Sequence, residues 1–240
     1  MCFKLIGTTT DEVRVNWVIK QLKALPHGIR ILDAGAGELR FKPHCNHLQY
    51  VAQDFAQYDG GGNGAGLQTG KWDNTRLDIV SDITRIPVDD ASFDAILCTE
   101  VFEHIPDAIS AVREFARILK PGGTLLITAP FNSLTHFAPY HFCGHNRYWY
   151  MHHLPLMGLE IGEIEANGSW FAFVAQELRR SRLVGQMYAS GLLGLITRVA
   201  AIPLLVLLTL QARLDRGSSE LLCFGFMVRA TKPASGETRT

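Results

Sequence analysis

Apolar positions recur along this chain in two periods, and the switching between them predicts the elements. From Thr9 to Leu25 they fall at Val15, Val18, Leu22 and Leu25, one face of a helix. Thr9 and Glu12 open that helix at capping-box spacing, and Pro26-His27-Gly28 closes it. The run beginning Ile31-Leu32-Asp33-Ala34 is short and apolar, as for a buried strand. Further strands are expected at 48–52, 77–83, 93–98, 124–128, 159–165 and 221–230. Between them, 39–47 reads as a short irregular helix around Pro43. A longer helix shows Ile109, Val112, Phe115 and Leu119 on one face, with Pro106 in its first turn and Lys120-Pro121-Gly122-Gly123 as its stop. Strands alternating with helices imply right-handed crossovers and a doubly wound, mostly parallel α/β sheet.

Two stretches break the alternation. Residues 60–70 are glycine-rich but lack the Gly-Lys-Ser/Thr ending of a phosphate loop, so they read as a flexible surface loop or lid. Residues 167–220 form a long connection before the last strand, first basic at Arg179, Arg180 and Arg182, then strongly apolar. Leu192–Leu210 carries only Arg198 as a charge. Its length approaches the roughly 20 residues of a bilayer span. A single span would strand 221–230 on the far side from its own sheet, and Pro203 favours a break into two shorter helices. The alternatives left are a buried hairpin, an oligomer interface, or a helix lying in a membrane surface.

Composition narrows the partners. The 240 residues are enough for one domain with a sizeable core; 47% are hydrophobic and 19% charged, which argues against general disorder. Lys+Arg and Asp+Glu both number 23, so the basic excess of a general nucleic-acid binder is missing, and no nucleic-acid partner is expected. The five cysteines (Cys2, Cys45, Cys98, Cys143, Cys223) are scattered, without a Cys-x-x-Cys pair, which points to a reducing cytoplasm. The first residues lack the basic and apolar regions of a signal peptide.

The candidate chemistry begins at Asp33-Ala34-Gly35-Ala36-Gly37, where a strand ends in an acidic residue and a Gly-x-Gly turn. Glycines there let the backbone turn sharply and a ligand approach it closely. Asp54 closes the second strand, where a carboxylate can accept both hydroxyls of a ribose. A dinucleotide fingerprint would need a third glycine at the position of Arg40, which argues against an oxidoreductase.

Together, Leu32-Asp33-Ala34-Gly35-Ala36-Gly37, Asp54, Asp82-Ile83 with Ile86-Pro87, Ser92-Phe93-Asp94, Glu103-His104-Ile105 and Leu119-Lys120-Pro121-Gly122-Gly123 resemble the class I S-adenosylmethionine-dependent methyltransferases, especially the type-11 methyltransferase domain family. The likeness runs over roughly 30–130 and departs where that family often has a third glycine, here Glu38-Leu39. It implies a Rossmann-like seven-stranded sheet whose last strand inserts antiparallel beside the sixth. It implies S-adenosylmethionine as cofactor: Gly35 and Gly37 at the aminocarboxypropyl end with Asp33 nearby, Asp54 on the ribose, Asp82 on the adenine amino group, Ile83 against the ring, and Thr99 under the methionine part. Glu103 and His104 are implied to support the loop rather than to touch the acceptor. The resulting division is a single domain over 1–240, with a cofactor core at 28–130, an acceptor-facing loop and helix at 131–158, and a helical insertion at 167–220.

Beyond the fifth strand the composition changes abruptly. Seven aromatics lie between 131 and 150, and five of the nine histidines between 136 and 153. In a parallel sheet, ligands bind beyond the carboxyl ends of the strands, so this segment overhangs the methyl donor. A hydroxyl acceptor gains from a base near neutral pH, which makes His136, His141 and His145 the catalytic candidates, against the alternative that they only brace the loop. His136, His141, Cys143 and His145 have zinc-ligand chemistry but match no standard spacing, so no metal is expected. The expected activity is methyl transfer to oxygen of a small-molecule, glycan or lipid-linked acceptor, by a monomer or homodimer. It goes with a cytoplasmic location and a peripheral membrane contact through 178–216. The alternatives are an inactive methyltransferase-like scaffold and a protein or RNA methyltransferase.

Overall fold

The computed structural model describes residues 6–234. They build one sheet from β1 (Arg30–Ala34), β2 (Gln49–Asp54), β3 (Ile79–Val80), β4 (Phe93–Thr99), β5 (Leu119–Pro130), β6 (Glu160–Asn167) and β7 (Gly225–Thr231), in the order β3-β2-β1-β4-β5-β7-β6. The pairs from β3 through β5 are parallel, and β7 runs antiparallel to β5 from Thr124↔Thr231 to Pro130↔Gly225. This is the doubly wound Rossmann-like sheet expected from the alternation. Ile31, Leu32, Ile96, Leu97, Leu125, Leu126 and Ile127 are fully buried, as strands covered on both faces must be.

Short polar links fix the amino ends of the central strands. Asp94 accepts the Arg30 amide at 2.9 Å and the Lys120 ammonium at 2.8 Å, tying β4 to β1 and β5. Its carboxyl stays below the usual range: burial pushes it up, but these donors outweigh burial. Helix α1 (Thr10–Lys23) ends close to its expected boundary, with Trp17 donating to Glu165 of β6 at 3.1 Å.

Three boundaries differ from the sequence reading. The third strand shrinks to two residues because the Asp78 carboxylate takes the Ala52 amide at 2.8 Å, so the ladder starts only at Gln53↔Ile79. Helix α2 (Ala108–Ile118) is capped by Asp107, whose side chain accepts the Ser110 amide; Pro106 lies before the cap, not in the first turn. The Lys120-Pro121-Gly122-Gly123 segment does stop α2, but it is carried within β5 rather than standing before it. There Leu119 already pairs with Phe93 and the register shifts before Ala95. Residues 42–44 form a 3-10 turn, and α3 (Arg147–Leu156) starts on an Asn146 cap.

By its internal contacts the described chain divides into two compact units. One runs from Asn16 to Glu165 and resumes at Gly225; the other holds the chain up to Val15 and Ala166–Phe224. In the second lie α4 (Trp170–Tyr188), α5 (Gly191–Ala200) and α6 (Ile202–Ala212). Ala175, Leu205 and Leu208 form its buried centre, with Ile6, Phe171, Val174 and Leu178 packed against them. The apolar run breaks at Ala201, with Pro203 in the first turn of α6, and α5 and α6 meet at a bend of 46°. Among the described residues no single helix is long and apolar enough to cross a membrane.

Glycines let α4 and α5 touch through their backbones: a Cβ on Gly185 would lie 2.9 Å from the Gly194 Cα and 3.0 Å from the Ser190 carbonyl. Gly185→Val is therefore expected to prise α4 from α5. Hydrogen exchange of amides in 181–200 should quicken at least tenfold relative to the native chain; unchanged protection there would show that the contact is not needed.

Candidate functional site

The carboxyl ends of β1 and β2 make the floor of the site. The Gln53 carbonyl accepts both the Gly35 amide (2.8 Å) and the Ala36 amide (2.9 Å), while one oxygen of Asp54 accepts the Gly37 amide at 3.0 Å. The other Asp54 oxygen accepts the Ala56 amide at 3.0 Å. Gly35 and Gly37 both have positive φ, at 77° and 48°, which a side chain would strain. Neither is bare: a Cβ on Gly35 would meet Val101 at 2.4 Å, and one on Gly37 the Trp72 ring at 3.1 Å.

Above this floor opens a cavity of about 540 Å³. Gly35, Asp54, Asp82 and Ile83 line it, together with Glu100, Val101 and His104 from the segment after β4. Asp33, Gly37 and Thr99 are not among its lining residues. At the end of β4 it is Glu100 that turns into the cavity, at a positive φ of 53° and accepting the Thr128 hydroxyl at 2.9 Å. Asp82 binds its own turn, accepting the Thr84 amide and hydroxyl at 2.8 Å.

An aromatic wall that the sequence reading did not single out closes one side. Tyr58 stacks on Phe137 at 4.6 Å between centroids, and Trp72 meets both edge-on. The 60–70 stretch is not a free flap. Leu67 bridges to His136 in parallel, its amide donating to the Thr135 carbonyl and its carbonyl accepting the Phe137 amide; Asn63 donates to the Ala138 carbonyl. Nothing local in the sequence marks these pairings, because they join segments some seventy residues apart.

Asp33 stands at the tip of β1 with 2% of its surface exposed. One oxygen accepts the Tyr50 hydroxyl at 2.5 Å; the other is buried without a hydrogen-bond partner among the described residues. Burial pushes its carboxyl up to about 7, against the lowering pull of Tyr50, and Asp54 adds to the rise.

The three candidate histidines part company. His136 lies beside Glu103 and His104, its Nε2 3.7 Å from a Glu103 oxygen. His141 packs 4.5 Å from His136, but its Nδ1 accepts the His136 amide at 3.1 Å, so its neutral ring carries the proton on Nε2 and offers no base there. His145 is buried against Trp149 and Phe102, with Cys143 Sγ 3.7 Å from its Nε2. None of the three lines the cavity, whereas His104 does. Of the two residues implied to be loop supports, His104 lines the cavity and Glu103 does not. The described cysteines Cys45, Cys98, Cys143 and Cys223 are free thiols; Cys2 lies outside the described residues.

Known proteins resemble this chain over the same region. The type-11 methyltransferase domain model matches residues 32–127, which carry the Gly-x-Gly turn, Asp54, Asp82 and the Glu103-His104 segment. Over those residues the chain is similar to the methyltransferase domain family. The ubiquinone biosynthesis O-methyltransferase of Xanthomonas axonopodis pv. citri (strain 306) is 33% identical over 121 residues, covering 49% of each chain. Its counterpart in Xylella fastidiosa (strain M23) is 29% identical over 136 residues, covering 53% of this chain and 51% of the relative. The chain spans about half the length of the curated relatives it matches. Among solved structures, the [4+2]-cyclase SpnF aligns at a TM-score of 0.55 with 19% identity, covering 92% of this chain and 81% of SpnF. Phosphoethanolamine N-methyltransferase 2 of Haemonchus contortus, solved with S-adenosyl-L-methionine, aligns at 0.51 with 20% identity, covering 91% and 52%. At those identities the structures speak for the fold; that one is a cyclase shows how widely the methyltransferase fold is reused.

A raised Asp33 pKa means that the chain binds this proton more tightly folded than unfolded. Its stability is then full below the ordinary carboxylate range and falls as pH rises towards 7. Asp33→Asn keeps an acceptor for Tyr50 and removes the titration. Urea melts at pH 5 and pH 8 should show the native chain losing on the order of 3 kcal/mol more between those values than the variant. Equal losses would contradict the buried, unpaired carboxyl.

Proposed function

We propose that this chain transfers the methyl group of S-adenosylmethionine to an oxygen of a small, lipid-like acceptor. The observation that carries this reading is the strand-end cavity, where Gly35, Asp54, Asp82 and Ile83 of the matched methyltransferase domain converge beside His104. Its volume lies within the range of small-ligand sites. Asp33 stands outside the cavity's lining, at the tip of β1; its unpartnered oxygen is a buried acceptor that a ligand's donor group reaching past the glycine turn would satisfy. Bound there, the cofactor supplies an electrophilic methyl on a sulfonium. Asp54 is assigned to the ribose hydroxyls, Asp82 to the adenine amino group, Ile83 to the ring face, and Asp33 to the ammonium end. Tyr58, Trp72 and Phe137 line the cavity and would shield a bound cofactor from water. Proton removal from the acceptor falls to the Glu103–His104–His136 group rather than to His141 or His145. Transfer to oxygen is supported by the curated relatives, which are named O-methyltransferases.

The lipid-like character of the acceptor, and a membrane location, rest on α5 and α6. Leu192 (68% exposed), Ile196, Val199, Ile202 and Leu207 (57%) stand in solvent along both helices. So much exposed apolar surface fits helices lying in a bilayer interface, with Arg198, Arg213 and Arg216 at hand for anionic headgroups.

Two measurements test these assignments. Calorimetry should show S-adenosylmethionine binding that Asp54→Asn, which keeps an oxygen for the Gly37 amide, weakens by about 1–3 kcal/mol. Tight binding of a nicotinamide dinucleotide in its place would overturn the assignment. In flotation with phosphatidylglycerol vesicles, the protein should rise with the lipid at low salt, less so at high salt, and not at all as Leu207→Asp. Protein left in the soluble fraction at low salt would refute the membrane contact.

A further inference from the structure

The group formed by Glu103, His104 and His136 has an uncommon feature: with both imidazoles neutral, only electron pairs point into it. His104 Nδ1 lies against the Tyr140 carbonyl, which can only accept, so Nδ1 carries the ring proton and Nε2 is left with a lone pair. His136 repeats the arrangement, its Nδ1 donating to the Leu134 carbonyl at 2.8 Å. Both Nε2 atoms then face the same Glu103 oxygen, at 3.6 Å from His104 and 3.7 Å from His136. Glu103 is 1% exposed, and neither of its oxygens, nor His104 Nε2, has a hydrogen-bond partner among the described residues. Acceptors facing acceptors in a buried place repel unless something positive sits between them.

We infer that Glu103, His104 Nε2 and His136 Nε2 bind one divalent transition-metal ion of the zinc type beside the cavity. The three ligand atoms lie within 4.8 Å of one another. A tetrahedral site with bonds of about 2.1 Å has ligand-to-ligand edges of about 3.4 Å, so the two oxygen-to-nitrogen edges need shorten by only a few tenths of an ångström, and the two imidazoles would draw together by about an ångström on binding. Two imidazoles and a carboxylate are ligands that zinc takes, and three protein ligands leave a coordination position open. The carbonyls of Tyr140 and Leu134 hold each imidazole in the tautomer and orientation that ligation requires, as outer partners of metal-bound histidines do. His104 lines the cavity, so the open position is on hand for an acceptor oxygen, whose hydroxyl an ion would acidify. That last role rests on the methyl-transfer reading; the binding of the ion does not. Of the four side chains with zinc-ligand chemistry named from sequence, only His136 takes part.

The test uses the full chain stripped with chelator, in the absence of S-adenosylmethionine and acceptor, so that it stands apart from cofactor calorimetry. Zn²⁺ titration should show one ion per chain, and Co²⁺ should give the visible absorption of a low-coordinate site. Glu103→Gln and His136→Gln, which keep volume and polarity, should each weaken binding by at least about 100-fold, with thermal midpoints measured to confirm folding. His152→Ala, at the exposed member of the His152–His153 pair on α3, should bind as the native chain does. No binding at 100 µM Zn²⁺, or binding that survives both ligand variants or disappears with His152→Ala, overturns the proposal. The first of these results would mean that a proton on His136 alone balances Glu103.

Discussion

The site depends on how the end of β2 holds the turn that follows β1. A single carbonyl, that of Gln53, receives two successive amides, and the next residue's carboxylate receives a third, so three consecutive N–H groups of the glycine turn are fixed from one neighbouring strand. This arrangement decides where the turn can be approached. Val101 comes down on Gly35 and Trp72 on Gly37, so both walls of the cavity are seated on glycines, one where a methyl group would clash and one where it would press on the Trp72 ring. The cavity is the space that those two contacts leave over Asp54 and Asp82.

Much of this was legible in the amino-acid order. Unbroken apolar runs marked the parallel strands because both faces are buried, and the acidic residues at their ends marked the site because a parallel sheet presents them together. Asp94 shows the other kind of legible motif, an acid whose task at the opposite end of the sheet is to bind a backbone amide and a lysine. What stayed hidden was non-local. The third strand was overdrawn because nothing in Leu77-Asp78-Ile79 tells that Asp78 will cap a neighbouring amide. The histidines after β5 were read together for their number, yet partners thirty or more residues away separate them: His136 is drawn to Glu103 and His104, whereas His145 is drawn under Phe102.

The helical unit presents the reverse case. Its hydropathy could be read directly, and so could the break near Pro203, but not which of its residues would form a core. Leu205 and Leu208 are buried, while Leu204 and Leu207, one position before each, are exposed. The same leucine-rich composition therefore supplies both a packed interior and an outer surface, and only the helix phase separates them.

The bridge between Leu67 and His136 has a consequence for how the two loops can change. Tyr58 and Trp72 flank the first loop, and Phe137 in the second packs on both, so the two segments are bound by backbone and by ring contacts alike. They form one panel rather than two lids. A motion that lifts Trp72 from the glycine turn carries Phe137 and His136 along, so the entrance of the cavity and its histidine-bearing flank open as a single event. The lengths of the two loops are likewise not independent: an insertion in the glycine-rich stretch, harmless in a free surface loop, here shifts the register that places His136 against Glu103.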